Sequence, residues 1–277
     1  LLLLVVLIVL SAFRLWLILP VGKDVGLFRV IAATFTGGTL NLVLPAKMGD
    51  IAKGTLIIGK AGLSPALTVV TYEKILDLFC CLALGIVAFY LLPDKTKTNY
   101  AEIFFISSLA AALFLLLVNE RPARLIMRMS SFLPVKFHDR VTAFLQAWLN
   151  QRAWLLARTR LFWISLGLTF LIWAGHFLQI LLMAAALGMT TSLLTILTAI
   201  PIAILAGLIP FTFAGVGTRD AALVALIGPV HGFGAAAALG ILFWLRYLIP
   251  GMLGLPFINQ YVDSIRELVR EKKLQGQ

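Results

Sequence analysis

Residues 161–186, LFWISLGLTFLIWAGHFLQILLMAAA, contain no Asp, Glu, Lys or Arg. A run of about 20 mostly apolar residues is long enough for a helix to cross the hydrocarbon core of a bilayer. The apolar residues are continuous rather than alternating, which favours a helix over a strand of a membrane barrel. This stretch therefore predicts a membrane-spanning α-helix.

The rest of the chain has the same character. Of its 277 residues, 61% are hydrophobic and 13% are charged, and the mean hydropathy is +1.01. Soluble domains are about 45–50% apolar and about 25% charged, so this excess is too large for a soluble core. We therefore expect an all-α, polytopic integral membrane helical bundle, because helices pair their own backbone polar groups in lipid.

Eight hydrophobic segments define the predicted organisation. We predict a membrane domain over 1–258, in which two four-helix halves (1–118 and 161–258) are joined by a basic amphipathic cytoplasmic linker (119–160), and a charged cytoplasmic tail (259–277). The second, sixth and seventh segments contain Gly, Pro and Thr, which predicts broken or re-entrant helices. The segments are about 1–19, 27–45, 65–92, 101–118, 161–186, 192–209, 211–228 and 233–258.

The net charge of +11 is concentrated in particular connections. The stretches 46–63 and 119–160 are basic, whereas the turns 187–191 and 229–232 contain no Lys or Arg. The positive-inside rule places the basic connections and both termini in the cytoplasm. Orientation and anionic lipid explain this charge, so we expect no nucleic-acid partner. The linker is expected to lie on the cytoplasmic membrane face, and a plain connector is the alternative.

A first candidate motif is NLVLPAKMGD at residues 41–50. Pro45 ends a hydrophobic segment, and a new helix is predicted to begin near Asp50, which would serve as its N-cap. The free amides of that helix, with Lys47 and Lys53, would suit an anion. A capped turn with ordinary interfacial lysines is the alternative.

Two carboxylates lie inside the third hydrophobic segment. Glu73 and Asp77 are four residues apart and share one helix face. They would repel each other when buried unless a cation, or a basic residue from elsewhere in the chain, lies between them. Lys74 is about 100° further around the helix and is not their obvious partner. The alternative places Glu73 at the cytoplasmic interface.

A second candidate motif is PFTFAGVGTRD at residues 210–220. A helix is predicted to restart near Thr218, and its amides with Arg219 would suit a phosphate. A helix hinge with an Arg219–Asp220 pair is the alternative. Arg246 lies within the last apolar segment, where an interior role competes with snorkelling toward an interface.

The sequence gives no sign of a catalytic or metal site. Cys80 and Cys81 are adjacent, and the three histidines are far apart. No metal-ligand spacing or nucleophile motif is present, so we expect no catalytic residue, metal or cofactor. A membrane-embedded transferase that uses Asp50 or Asp220 remains the alternative.

The two motifs, in this order and spacing, resemble the signatures of the lysylphosphatidylglycerol synthase transmembrane-region family, also called the flippase-like domain family. The similarity covers about residues 15–258. The family usually has Arg where this chain has Lys47 and Lys74, and often Glu where it has Asp50 and Asp220. Charge is kept, but the bidentate geometry of Arg is lost. The signature residues are Asn41, Pro45, Lys47, Gly49, Asp50, Glu73, Lys74, Asp77, Pro210, Gly215, Gly217, Arg219, Asp220 and Arg246.

The resemblance implies an eight-span protein of the bacterial or archaeal cytoplasmic membrane that moves phospholipid between leaflets. The best-known members move an aminoacylated phospholipid and are fused to a synthase domain. No such domain is recognisable here, so we expect this chain not to make the lipid. Stand-alone members are associated with other lipids, including hopanoids and polyprenol-linked carriers.

Our leading hypothesis is a lipid flippase or transporter whose broken helices meet in a cavity between the halves. Its partner would be a membrane phospholipid, and a separately encoded lipid synthase is a second partner to consider. The alternatives are a lipid-modifying transferase and a subunit that presents lipid to a synthase. The paired Pro–Gly–Asp motifs also hint at an internal repeat. Headgroup binding is assigned to Lys47, Lys53, Arg219 and Arg246, and orientation of these cations or proton coupling to Asp50, Glu73, Asp77 and Asp220.

Overall fold

The structure is a computed structural model, and most of the residues that it describes are helical. The described residues form eleven α-helices, two short 3-10 turns and no strand, which confirms the all-α prediction. The two turns are Ser130–Phe132 and Leu255–Phe257. The described residues are 2–20, 25–44, 48–58, 63–91, 100–189, 193–208 and 217–259.

Each of the eight predicted segments contains a helix, and the linker contributes two more. A further short helix follows the first motif. In chain order the helices are α1 (Leu2–Leu17), α2 (Leu27–Val43), α3 (Met48–Ile58), α4 (Leu63–Leu91), α5 (Tyr100–Val118), α6 (Arg121–Met129), α7 (Val135–Leu156), α8 (Thr159–Ala186), α9 (Leu193–Ala206), α10 (Thr218–His231) and α11 (Phe233–Leu253).

The helices differ in whether they can cross a membrane alone. By length and composition α4, α8 and α11 are long and apolar enough, and a fourth span is possible if α5 and α6 count as one bent pair. Helices α2, α9 and α10 have 17, 14 and 14 residues. They fall short of the roughly 20 residues of a full crossing. Helix α1, whose segment was not predicted to be broken, has 16 residues, so length alone leaves the predicted breaks in the second, sixth and seventh segments a prediction.

The helix contacts follow a two-fold pattern. Helix α1 packs against α8, α2 against α11, and α4 against α9. The hairpin-like contacts α2–α3 and α9–α10 are equivalent, as are α3–α4 and α10–α11. If α1 is exchanged with α8, α2 with α9, α3 with α10 and α4 with α11, these contacts map onto one another. This is the pattern that an internal repeat would give, although the two sequences share little beyond their Pro–Gly–Asp motifs.

Glycines permit the closest helix approaches. A Cβ on Gly49 of α3 would lie 2.2 Å from the Gly37 carbonyl oxygen and 2.6 Å from the backbone nitrogen of Asn41, both in α2. A Cβ on Gly254, directly after α11, would lie 2.2 Å from the Phe35 carbonyl oxygen. Small residues allow such backbone contact between membrane helices. The close approaches of α2 to α3 and to the residue after α11 therefore each depend on a glycine.

The linker divides into two differently placed parts. Helix α7 packs on the body: the Trp148 ring lies 5.3 Å from the Tyr72 ring, and Gln151 Nε2 donates to the Ile18 carbonyl oxygen at 2.6 Å. Helix α6 and the turn that follows it instead bend by 89° from α5. The buried core is consequently formed by the membrane helices together with one face of α7.

Candidate functional site

Arg14, on α1, is the hub of a buried charge cluster. Its side chain is fully buried, with 0% of the residue exposed. One Arg14 Nη atom lies 3.0 Å from Glu73 Oε1 and the other lies 2.5 Å from Asp77 Oδ1. The second Nη also donates to Thr169 Oγ1 at 3.1 Å. The arginine thus joins α1, α4 and α8 through polar contacts.

A second cation completes the partners of the α4 carboxylates. Lys53 of α3 is 3% exposed, and its Nζ lies 2.5 Å from Glu73 Oε2. Each oxygen of Glu73 therefore faces a different cation. The condition stated for burying Glu73 and Asp77 together, a cation or a basic residue between them, is met by Arg14. Burying such charges is costly unless they are paired, so the four groups stabilise one another.

Asp50 forms a more accessible edge of the same cluster. Its Oδ2 lies 3.1 Å from Lys74 Nζ, and the Lys74 side chain is 48% exposed. Asn41 Nδ2 donates to the other Asp50 oxygen at 3.4 Å. The predicted N-cap role of Asp50 is wrong, because α3 already begins at Met48. Asp50 is the third residue of the helix, where a carboxylate still favours the positive end of the helix dipole.

We call this group the Arg14 cluster, and its charges balance. Three cations face three carboxylates in it. Arg14 Nε is buried without a hydrogen-bond partner among the described residues, but a group whose charges balance has little remaining attraction for an external ion. Its members are Arg14, Lys53, Lys74, Asp50, Glu73 and Asp77.

A second cluster lies at the start of α10. Arg219 is 2% exposed, and its Nε and Nη2 donate to Asp220 Oδ1 at 3.0 and 2.7 Å. Asp220 Oδ2 accepts from the Gly217 amide at 3.1 Å. Gly217 has φ +96°, in the left-handed region that favours glycine. The prediction that a helix restarts at Thr218 is confirmed, and the Arg219–Asp220 pair of the hinge alternative is present.

An aromatic ring connects this pair to α11. The Arg219 guanidinium carbon lies 4.3 Å from the Phe243 ring centre, and that of Arg246 lies 4.7 Å from the same centre. Arg246 Nη2 lies 2.6 Å from His176 Nδ1 on α8. Arg246 can only donate, so His176 Nδ1 must accept and its proton must be on Nε2. Arg246 is therefore held inside the protein by α8, as the interior interpretation predicts.

This second group, which we call the Arg219 cluster, is not balanced. It consists of Arg219, Asp220, His176, Phe243 and Arg246, so two arginines face one carboxylate. Within the described part of the chain, the buried Arg219 Nη1 and Arg246 Nε atoms have no hydrogen-bond partner. Buried polar donors are normally paired, and charged donors cost the most when they are not. The cluster therefore carries excess positive charge and two free donors.

The structure separates the predicted site residues into these two clusters. Lys53, Asp50, Glu73 and Asp77 belong to the Arg14 cluster, and Arg219, Asp220 and Arg246 to the other. Lys47, Pro45, Pro210 and Gly215 lie outside the described residues.

Sequence reasoning missed three residues of the clusters, which are Arg14, His176 and Phe243. Arg14 was detectable as a cation inside the first apolar segment. Nothing in the sequence indicates the contact of His176 with Arg246. Within the described ranges, no group of three or more His, Cys, Asp or Glu side chains is placed to hold a metal ion.

Fold and site together define a multi-pass helical membrane protein with a polar centre buried between its helices. The chain belongs to the lysylphosphatidylglycerol synthase transmembrane-region family, whose model matches residues 1–254. No curated protein and no solved structure matches the chain. The family membership, which agrees with the resemblance of the two motifs, indicates a lipid-related function in a membrane.

Proposed function

We propose that this protein moves a lipid with an anionic headgroup between the two leaflets of the cytoplasmic membrane, and that it does not modify the lipid. The observation that carries the proposal is the excess positive charge of the Arg219 cluster. Two buried arginine donors there, Arg219 Nη1 and Arg246 Nε, have no hydrogen-bond partner among the residues that the structure describes. A phosphate or carboxylate oxygen would satisfy both donors through charge-assisted hydrogen bonds.

The helices around the cluster support this assignment. Transporters commonly form substrate sites where helices are interrupted inside the membrane, because interrupted helices present free backbone groups and dipoles. Helix α10 starts at Thr218 beside Arg219, and α9 and α10 are each too short to cross alone. The cluster therefore combines a helix start with two arginines, and both features favour an anion.

The Arg14 cluster has a different role in this proposal. Its cations already have carboxylate partners, so it holds α1, α3, α4 and α8 together rather than binding the headgroup. Lys53, which we assigned to headgroup binding from the sequence, forms an ion pair with Glu73. Lys74 is the cluster's most exposed member at 48%, and the Asp50 and Asp77 side chains are 17% and 21% exposed, so a coupling proton would reach these three first.

The test is leaflet exchange in liposomes. Purified protein is reconstituted with fluorescent phosphatidylglycerol, and dithionite destroys the fluorophore in the outer leaflet only. We expect more than half of the fluorescence to be lost with the protein present, and about half in protein-free liposomes. Arg219→Glu should abolish the exchange while the protein stays folded. Arg160→Gln is the matched control, because Arg160 is exposed and outside both clusters.

The same samples discriminate between the alternatives. Unchanged exchange by a stably folded Arg219→Glu protein would remove that residue from the site. No exchange across several anionic headgroups would contradict transport by the isolated chain. A changed lipid mass in that case would favour a transferase, and co-purification of a synthase with unchanged lipid would favour a presenting subunit.

A further inference from the structure

Helix α6 runs at a right angle to the helix before it. The axis of residues 121–132 is bent by 89° from that of residues 105–118. Membrane-spanning helices tilt on average by about 20° from the bilayer normal. If α5 crosses the membrane as its apolar sequence indicates, residues 121–132 run along the membrane surface. We call them the surface arm.

The surface arm exposes an uncovered apolar face. Leu125, Ile126, Met129 and Phe132 follow the spacing of one helix face, and they are 59%, 47%, 61% and 91% exposed. The opposite face is the one that contacts the protein, since Ala123 is 2% exposed there and Met127 packs against the core. Large apolar patches left uncovered on a protein indicate a contact with a membrane or another protein.

A row of arginines borders the apolar face. Arg121, Arg124 and Arg128 are three and four residues apart, lie beside the apolar face, and are all exposed. Residues 119–140 contain five basic and two acidic residues. One of these acids, Glu120, already contacts Arg124 at 3.1 Å and Arg152 at 3.9 Å. The exposed charge of the arm is therefore strongly positive.

We propose that the surface arm is a docking site for anionic lipid in the leaflet beneath which it lies. Its apolar face would enter the boundary between headgroups and acyl chains, and its arginines would contact lipid phosphates. This is how an amphipathic basic helix binds a membrane surface. Charge complementarity favours a lipid surface over a protein as the occupant. The inference is independent of lipid translocation. It centres the docking surface of the linker on the surface arm, because the later part of α7 is packed into the body through Leu145, Trp148, Gln151 and Leu155.

Site-specific fluorescence tests the proposal in the whole protein. A small fluorophore is attached at Phe132→Cys, and at Asn150→Cys on the exposed side of α7 as the control. The native Cys80 and Cys81 are both 0% exposed, and the unsubstituted protein corrects for any label on them. Each protein is reconstituted in phosphatidylcholine with or without phosphatidylglycerol. Lipids with brominated acyl chains quench probes in the membrane, and acrylamide quenches probes in water.

We expect brominated lipid to quench the probe at residue 132, and this quenching should be stronger with phosphatidylglycerol and weaker at high salt. We expect acrylamide to quench the probe at residue 150. Each arginine is expected to favour the docked arm about fivefold near an anionic surface. The triple variant Arg121→Gln, Arg124→Gln, Arg128→Gln should therefore shift the docked ratio about a hundredfold, and Arg160→Gln should leave it unchanged.

Three results would overturn the proposal. If acrylamide quenches the probes at residues 132 and 150 equally, the surface arm lies in water and not in the membrane. Protection from both quenchers would show that protein covers the face. If quenching by brominated lipid is the same with and without phosphatidylglycerol, and is unchanged by the arginine substitutions, the apolar face inserts without recognising anionic lipid.

Discussion

Thr169 and His176 lie seven residues apart on one face of α8, and each accepts a hydrogen bond from a different arginine. Thr169 Oγ1 accepts from Arg14 at 3.1 Å, and His176 Nδ1 accepts from Arg246 at 2.6 Å. Seven residues of helix span about 10 Å. A single helix therefore sets the spacing between the balanced Arg14 cluster and the positively charged Arg219 cluster.

Replacing His176 should disturb Arg246 without removing a charge. His176→Ala takes away the acceptor, and an unsatisfied charged donor costs about 1.5–3 kcal/mol. We expect phosphatidylglycerol exchange to fall about tenfold or more, as measured by the dithionite assay. His176→Gln, whose side-chain oxygen is also an acceptor, should retain most of the rate. Equal loss in both variants would contradict the positioning role of the histidine.

Removing Arg14 should destabilise the fold rather than only slow transport. Arg14→Met leaves Asp77 without its arginine partner, and breaking a buried ion pair costs about 3–5 kcal/mol. We expect a lower midpoint of thermal unfolding in detergent. The double variant Arg14→Met, Asp77→Asn should recover part of the loss, because the orphaned carboxylate is removed. A double variant less stable than Arg14→Met would contradict the pairing.

The Gly49 contact should tolerate no side chain. A Cβ there would lie 2.2 Å from the Gly37 carbonyl oxygen, so Gly49→Ala must push α3 away from α2. We expect a loss of about 1–3 kcal/mol, typical of overpacking, in thermal unfolding. Gly167→Ala in α8 is the matched control, since its Cβ meets nothing within 4 Å. Helix propensity predicts that this control is neutral or slightly stabilised. Equal effects of the two substitutions would refute the close-contact explanation.

Phe243 should contribute through its ring and not only through its volume. It lies between the Arg219 and Arg246 guanidinium groups, at 4.3 and 4.7 Å. Each cation–π contact is worth about 0.5–2 kcal/mol. We expect Phe243→Leu to slow lipid exchange several-fold, and Phe243→Trp to preserve the rate if the larger ring fits. The check is the initial dithionite-accessible exchange rate. An unchanged lipid exchange rate in Phe243→Leu would show that the ring contributes only by packing.

Apolar runs were enough to predict the helices, because lipid leaves few other ways to pair a backbone. The spacing of Glu73 and Asp77 was enough to require a cation from elsewhere. It could not identify Arg14, because that contact depends on how α1 packs against α4. The Arg246–His176 contact was hidden for the same reason. The N-cap prediction for Asp50 failed because cap and first-turn carboxylates look alike in a sequence, and α3 begins two residues earlier.

The interleaved contacts also determine the order of assembly during synthesis. Helix α2 rests on α11, and Thr39 Oγ1 donates to the Gly251 carbonyl oxygen across 212 residues at 2.6 Å. At about 5–20 residues per second, a ribosome needs roughly 10–40 s to add that length of chain. During this interval α2 lacks its α11 partner. The packing of α2 is therefore completed only after α11 has been made.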